Sequence, residues 1–320
     1  MLEAPENAKE IEPTSDVVAL IIFRRPETTA KVLAAIQGMK LSRLYVIADG
    51  PRENRLGEDE LVKETRKLVD EIDWKCEVVK IYSDTNLGLR ERVLTGLDEV
   101  FSRENSAIIL EDDCLPNAEF FAFSIELLGK YASNESIALV SGNNFASKPK
   151  MVDSYYFSTH ANIWGWATWG RTWHEFRATK MEEFLTVSAQ AEIAKAIPSR
   201  FQRTAFMSLL RDAQNLDSWA IQFAAYCYTK GRLSAVPKVN LVSNIGFGAE
   251  STHTKFESYA DEVKAQKLDF PLRHPSTIGP NAKEMRRESF AKALRWFTYP
   301  LAHPLDFLGR VIRYLRLRAP

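Results

Sequence analysis

The chain has 320 residues, 45% of them hydrophobic and 26% charged, a composition that suits a folded globular protein and excludes a disordered one. Its 42 basic and 42 acidic side chains cancel, so no overall field draws it to nucleic acid, and any polyanion must be recognised at a specific site. Cys76, Cys114 and Cys227 form neither a CxxC pair nor an even framework, and no run of eighteen apolar residues occurs, so a cytoplasmic protein without a membrane-spanning helix is expected.

Residues 1–15 are polar and acidic and read as a flexible arm, unlike a signal peptide. "VVALIIF" (Val17 to Phe23) is a continuous β-rich apolar run, the pattern of a strand buried on both faces. Pro26 followed by "ETTAKVLAAIQGM" predicts a helix, with acid near its start and Gly38 near its end. "LYVIAD" (Leu44 to Asp49) predicts a second strand stopped by Gly50-Pro51, Glu58 to Ile72 a charged helix, and Cys76 to Asp84 a third strand. In "NLGLRERVLTGLDEVFSR", Leu89, Val93, Leu97, Val100 and Phe101 fall on one helical face. Ala107, Ile108, Ile109 and Leu110 form a fourth strand, and Ile137 to Gly142 a fifth.

Strands alternating with helices predict an α/β fold, with a mostly parallel sheet flanked by helices. Ligands of such sheets gather at the carboxyl ends of the strands. Arg24-Arg25, Asp49-Gly50, Asp84 and Glu111-Asp112-Asp113 all belong there. After about residue 150 the character changes: "YYFSTHANIWGWATWGRTWHEF" holds four tryptophans, a helical polar section follows, and a Gly-rich loop comes after it.

The three consecutive acids are the strongest chemical signal. Adjacent carboxylates repel by roughly 1 kcal/mol per close pair in water, and by more where solvent is excluded. A solvated turn is one explanation. A bound divalent cation is the other, and oxygen ligands favour Mg2+ or Mn2+, with substrate phosphates completing the shell. That suggests a nucleotide diphosphate substrate, the ion acting as Lewis acid on the departing diphosphate. Arg25 could stack on or hydrogen-bond a base, and Asp49 could accept from a base N–H or a ribose hydroxyl. The first strand is followed by neither a Walker A motif nor GxGxxG, which counts against an ATPase or a nicotinamide enzyme.

"EDDC" at a strand end, followed by Pro116 and "EFF", resembles the acidic metal motif of GT-A glycosyltransferases. The likeness is to the N-acetylglucosaminyltransferase I family and to bacterial family 2-like glycosyltransferases. "FRRP", "VIADG", "IWGWATW", "LDSWAIQF" and "NIGFGAESTHT" occur in the family's order, across residues 16 to 255. The resemblance implies a GT-A (Rossmann-like) catalytic domain over 16–255, with a nucleotide-sugar half at 16–150 and an acceptor half at 151–255. It implies that Asp113 is the direct metal ligand, that Glu111 and Asp112 face the sugar and ribose, and that Arg25 and Asp49 hold the base. It also implies that Asp217 is the general base of an inverting transfer, although Asp217 equally suits the N-cap of the helix that follows it. Two departures are visible: Arg24 stands where the family carries a polar residue, and Ser218 where the eukaryotic enzymes carry a second aspartate.

Other features admit two readings each. The helix start at Asn86, Gly88, Arg90 and Arg92 could hold phosphate or simply be capped. Trp164, Trp166 and Trp169 could form a sugar platform or core, and Trp166 is the expected donor contact. His253, in the loop that closes over the donor in the resembled family, could complete a metal shell or be structural, with Gly246 and Gly248 supplying mobility. Residues 256–320 read as a basic, amphipathic C-terminal helical extension. Its arginines at 295, 310, 313, 316 and 318 sit among aromatic and aliphatic residues, and either an anionic membrane surface or the catalytic domain could receive them.

The expected function is a metal-dependent inverting glycosyltransferase using Mn2+ or Mg2+. It would move a sugar from a nucleotide diphosphate sugar, UDP-sugar first, to a glycan or lipid-linked saccharide acceptor in polysaccharide biosynthesis. The expected place is the cytoplasm, peripheral on the inner face of the membrane. A sugar nucleotidyltransferase and a non-catalytic, membrane-tethered carbohydrate-binding scaffold are the alternatives.

Overall fold

The computed structural model describes residues 16–39, 41–145, 151–197, 199–213, 215–246 and 264–291. The first part alternates as expected: β1 (Val17–Ile22), α1 (Pro26–Gln37), β2 (Arg43–Ala48), α2 (Glu58–Asp70), β3 (Glu77–Tyr82), α3 (Leu89–Phe101) and β4 (Ser106–Glu111). β5 (Cys114–Pro116), α4 (Ala118–Lys130), β6 (Ile137–Ser141), β7 (Tyr155–Ser158) and β8 (Trp166–Trp169) follow. α5 (Gly170–Ala178), α6 (Val187–Ala196), α7 (Arg200–Arg211), α8 (Ala220–Thr229), β9 (Leu233–Pro237) and β10 (Val242–Asn244) complete the order.

Eight strands form one sheet in the order β3-β2-β1-β4-β8-β6-β9-β7. β1 pairs in parallel with β2 and β4, β2 with β3, and β6 with β9. β8 runs antiparallel between β4 and β6, and β7 antiparallel along β9. The protein is thus α/β with a mostly parallel sheet covered on both faces. Every residue of β1 is buried because its alternate side chains enter different cores. Val18, Leu20 and Ile22 meet α1, α2 and α4, whereas Val17, Ala19 and Ile21 meet α3 and α5 to α8.

The sheet runs unbroken across residue 150, so the two expected halves share one hydrogen-bonded layer. The start of the expected C-terminal extension also belongs to this body. Leu268 and Leu272 enter the core beneath α1 and α4, Ser154 and Arg273 exchange hydrogen bonds, and Phe157 bridges Pro280. Residues 282–291 are helical and bury two carboxylates, Glu284 and Glu288, against the sheet. The Asn162 amide donates to Glu288 at 3.0 Å, and Arg287 pairs with Glu284. The arginine-rich stretch from 292 onward lies outside the described residues. Among the described residues, no helix is long and apolar enough to cross a membrane.

Trp166 corrects an expectation. Only 1% exposed, it stacks on Trp219 at 5.5 Å and packs against Phe223 at 5.2 Å, so both faces of its indole are occupied by core. It cannot be a sugar platform. Trp169 is also buried, its Nε1–H donating to the Leu128 carbonyl. Trp164 keeps a partly exposed ring beside Phe145.

Candidate active site

β1 and β4 are neighbours, but the chain leaves β1 toward β2 on the opposite side. This is where strand order reverses, and crevices at such points receive ligands in open α/β sheets. The carboxyl end of β1 supplies Phe23, Arg24 and Arg25, and that of β4 supplies Glu111, Asp112 and Asp113. Pro26 starts α1, which holds the preceding Arg25 out of the helical region at φ −122° and ψ 75°. Arg25 makes no side-chain cap for α1, and its guanidinium reaches across to β4 instead. One nitrogen, Nη1, donates to Asp113 Oδ2 at 2.7 Å and to Asp112 Oδ1 at 3.1 Å. The Phe23 backbone N–H donates to the other Asp112 oxygen at 3.2 Å.

Burial pushes the Glu111 carboxyl up to about 8, with repulsion from Asp113 and Asp112 adding to it. Asp112 is lifted to about 6 by burial, which outweighs the nearby Arg25 cation. For Arg25, burial acts to lower the value, but the two aspartates prevail and raise it. Negative charge is costly here, and the protein offsets it by placing the Arg25 guanidinium between Asp112 and Asp113.

The other wall of Asp113 is backbone. β10 pairs with β5 so that Asn244 lies opposite Cys114, and the Ile245 N–H donates to the Asp113 carbonyl at 2.8 Å. Gly246 follows, packed so close that an added Cβ would come within 2.8 Å of Asp113 Cγ. Only glycine fits. The sequence showed Gly246 as a loop residue, but its contact with Asp113 depends on the β5–β10 pairing, which has no local signal.

Asp49 also departs from its expected role. Its carboxylate accepts from the N–H groups of Gly50, Leu87 and Gly88 and from the Asn86 amide, at 2.9–3.2 Å. It is 6% exposed, and these donors fill its lone pairs. Asp49 therefore fastens the turn before α3 and has no acceptor left for a base. Burial raises its pKa, opposed by those backbone bonds and by Arg92. Arg66 braces the same turn from below, donating to the carbonyls of Asp49 and Ser83.

Asp217 lies against the same helix start. Its two oxygens accept the Leu89 N–H at 2.8 Å and the Arg90 N–H at 2.7 Å. It caps α3, not α8, which begins at Ala220 after Trp219. The four backbone donors from Leu87 to Arg90 are thus taken by two protein carboxylates, and no phosphate cradle remains at this helix start. Gly88 lies between the two acids, with φ +82°, the left-handed backbone that favours glycine, and an added Cβ would press on the Asp217 carboxylate at 3.0–3.3 Å.

Of the expected site residues, Arg25, Asp112 and Asp113 are brought into direct contact, with Glu111 adjoining. Asp49 and Asp217 meet at the turn before α3. His253 and Gly248 lie outside the described residues. Among the described residues, no three His, Cys, Asp or Glu side chains converge as a metal shell. The donor type nevertheless fits a hard divalent cation, since magnesium is commonly held by one or two carboxylates with substrate phosphates and water. The obstacle is the Arg25 guanidinium on Asp113.

No protein-family model matches the chain, and no curated protein matches its sequence. Among solved structures it is similar to a mannosyltransferase from Pyrobaculum calidifontis in complex with GDP-Man and Mn2+. The identity is 11% and the TM-score 0.35, covering 68% of this chain and 69% of that one. It is also similar to 4-diphosphocytidyl-2C-methyl-D-erythritol synthase from Anaerococcus prevotii, at 11% identity and TM-score 0.31 over 51% of this chain and 78% of that one. The glycosyltransferase GlyE of Streptococcus pneumoniae is 10% identical with TM-score 0.33, and the match spans 70% of this chain but 45% of GlyE. At such scores these likenesses add nothing to what the sheet order and the site geometry carry.

Proposed function

We propose that the chain is a GT-A-type glycosyltransferase that takes a sugar from a nucleotide diphosphate donor and passes it to a saccharide or lipid-linked saccharide with inversion. The observation that carries this reading is the arrangement at the β1/β4 crevice. Three carboxylates end β4 where strand order reverses, and a cation is already drawn between two of them.

In this reading Asp113 would hold a divalent cation together with the donor diphosphate. When bound, that ion offsets negative charge on the departing diphosphate. Glu111 and Asp112 face the sugar and ribose, and Arg25 turns its donors to the nucleotide. The turn pinned by Asp49 forms the floor beneath the base. Asp217, exposed at the mouth of the same turn, accepts the proton from the acceptor hydroxyl as that oxygen attacks the anomeric carbon. The bond to the diphosphate breaks on the opposite face, which inverts the centre. Trp164, partly exposed and with its backbone N–H held by Asn143, takes the sugar-contact role that Trp166 cannot fill.

The sugar nucleotidyltransferase reading is disfavoured by one feature. Gripping a triphosphate needs a loop of backbone donors after the first strand, but Pro26 starts α1 immediately after Arg25, with no glycine between. Incubation with UDP-sugars and GDP-sugars plus Mn2+ tests the choice. Nucleoside diphosphate release that is lost in Asp113→Ala supports the transferase, and formation of a nucleotide sugar from a triphosphate and a sugar 1-phosphate overturns it.

The basic segment 292–320, outside the described residues, is proposed to rest on anionic lipid at the inner face of the membrane, where a lipid-linked acceptor would lie.

A further inference from the structure

We infer that Arg25 is a built-in counter-cation that a divalent metal must displace from Asp113, so that metal and nucleotide each need the other to bind well. The inference rests on the proposed donor site and adds its regulation.

The Arg25–Asp113 contact is a charge-assisted hydrogen bond at 2.7 Å, and the same nitrogen holds Asp112 at 3.1 Å. The side chains are only 19% and 16% exposed, so solvent and salt screen the pair weakly. A metal ion on Asp113 would sit a few ångströms from the guanidinium, and like charges at that range in a partly dry crevice repel strongly. One of the two cations must leave.

Asp113 cannot be the one that moves. Its carbonyl is held by the Ile245 N–H, and its carboxylate is backed by Gly246 without room for even a methyl group. The Arg25 side chain can move instead: its backbone stays fixed, the carbonyl accepting the Thr29 N–H at the start of α1, while its long side chain can swing by changing rotamer. Its guanidinium needs acceptors to replace those it gives up, and a nucleoside diphosphate offers them in phosphate oxygens and base carbonyls. The nucleotide therefore draws Arg25 away and opens Asp113, while metal on Asp113 drives Arg25 toward the nucleotide. Coupling of this kind is reciprocal by linkage. Arg25 is in this respect a positioning residue, and its effect on metal affinity is opposite in sign to that of a ligand.

The test is Mn2+ affinity, read as free Mn2+ by electron paramagnetic resonance, for the full chain alone and with saturating UDP or GDP. Wild type, Arg25→Met and Arg25→Lys are compared, after near-ultraviolet circular dichroism shows that each is folded. The expected result is weak Mn2+ binding by wild type alone, strengthened at least about tenfold by a nucleotide. Arg25→Met binds Mn2+ alone about tenfold more tightly than wild type and loses most of the nucleotide effect, while Arg25→Lys, which keeps the charge, stays near wild type. Equal Mn2+ affinity of Arg25→Met and wild type in the absence of nucleotide overturns the inference and leaves the donor site standing. If Arg25→Met does not fold, Mn2+ affinity of wild type that ignores both nucleotides overturns it. No Mn2+ binding by any of the proteins under any condition overturns the proposed function, and the inference with it.

Discussion

Asp217 caps a helix that begins 128 residues before it, taking the Leu89 N–H at 2.8 Å and the Arg90 N–H at 2.7 Å. A capping role and a catalytic one make different demands on the side chain, so they can be separated. Asparagine keeps an acceptor oxygen for the cap but cannot take a proton, and alanine loses both. Asp217→Ala is expected to lower stability by about 1 kcal/mol, and Asp217→Asn by much less. Both should reduce transfer at least about 100-fold, which is the usual scale of a general base. Full transfer activity in a stable Asp217→Asn protein would show that the residue is a cap alone.

Gly246→Ala forces a methyl group into the Asp113 carboxylate. Overpacking of this kind costs about 1–3 kcal/mol, and here it should also turn Asp113 out of place. The expected result is loss of the Mn2+-dependent thermal shift with nucleoside diphosphate, while Gly279→Ala, at a glycine beside the β7 edge of the sheet with open space around it, leaves that shift intact.

Glu58 gives the pH prediction. It is 2% exposed and takes the backbone N–H and Nε–H of Arg52 at 2.9 Å, with Arg24 at 3.4 Å. The Arg52 side-chain bonds, opposed by burial, hold its carboxyl below the ordinary value. A carboxyl with a depressed folded-state pKa stabilises the protein above its unfolded value, about 4.3, and that contribution is lost as pH falls through the folded value. Wild type should exceed Glu58→Gln in urea midpoint at pH 7, and the gap should narrow as pH falls below the unfolded value. A gap that does not narrow in acid would assign the difference to packing rather than charge.

Trp166 and Trp164 should separate core from contact. Trp166→Ala removes an indole stacked on Trp219 and should cost about 3–5 kcal/mol. Trp164→Ala, at a ring only partly buried against the core, should lower the melting temperature much less than Trp166→Ala and raise the KM for donor or acceptor. An unchanged KM for both substrates would remove Trp164 from the site.

Deletion of 292–320 should abolish co-sedimentation with vesicles containing anionic lipid, without loss of nucleotide binding. Binding by the full chain should weaken as salt rises, because screening shortens the reach of its arginines. Equal sedimentation of the two proteins would place that segment elsewhere.

The strands before residue 150 were legible because burial on both faces leaves a mark in a single segment: an unbroken apolar run, as in β1, β2, β4 and β6. β8 left no such mark. Trp166 and Trp169 suggest a platform when read alone, and only pairing with Ile109 and Ser141 makes the segment a strand. The acids of β4 and Arg25 were recognisable as residue types at strand ends, but their mutual contact spans 88 residues and has no local signature. Asp49 was found and misassigned, since a strand-end aspartate looks the same whether a ligand or the next turn satisfies it. Glu284 and Glu288 were missed because two acids four apart on a helix ordinarily mark its solvated side.

The position of β8 also bears on how the protein is made. β4, which carries the acids, has β1 on one side from early in synthesis, but its other edge stays open until Trp166–Trp169 has emerged. A chain that ended near residue 150 would present that edge, apolar along its length, to any other strand nearby. The part of the chain before residue 150 is therefore not a module that stands alone. Its folding waits on a strand from the later part, and the nascent chain must avoid edge-to-edge pairing until that strand arrives.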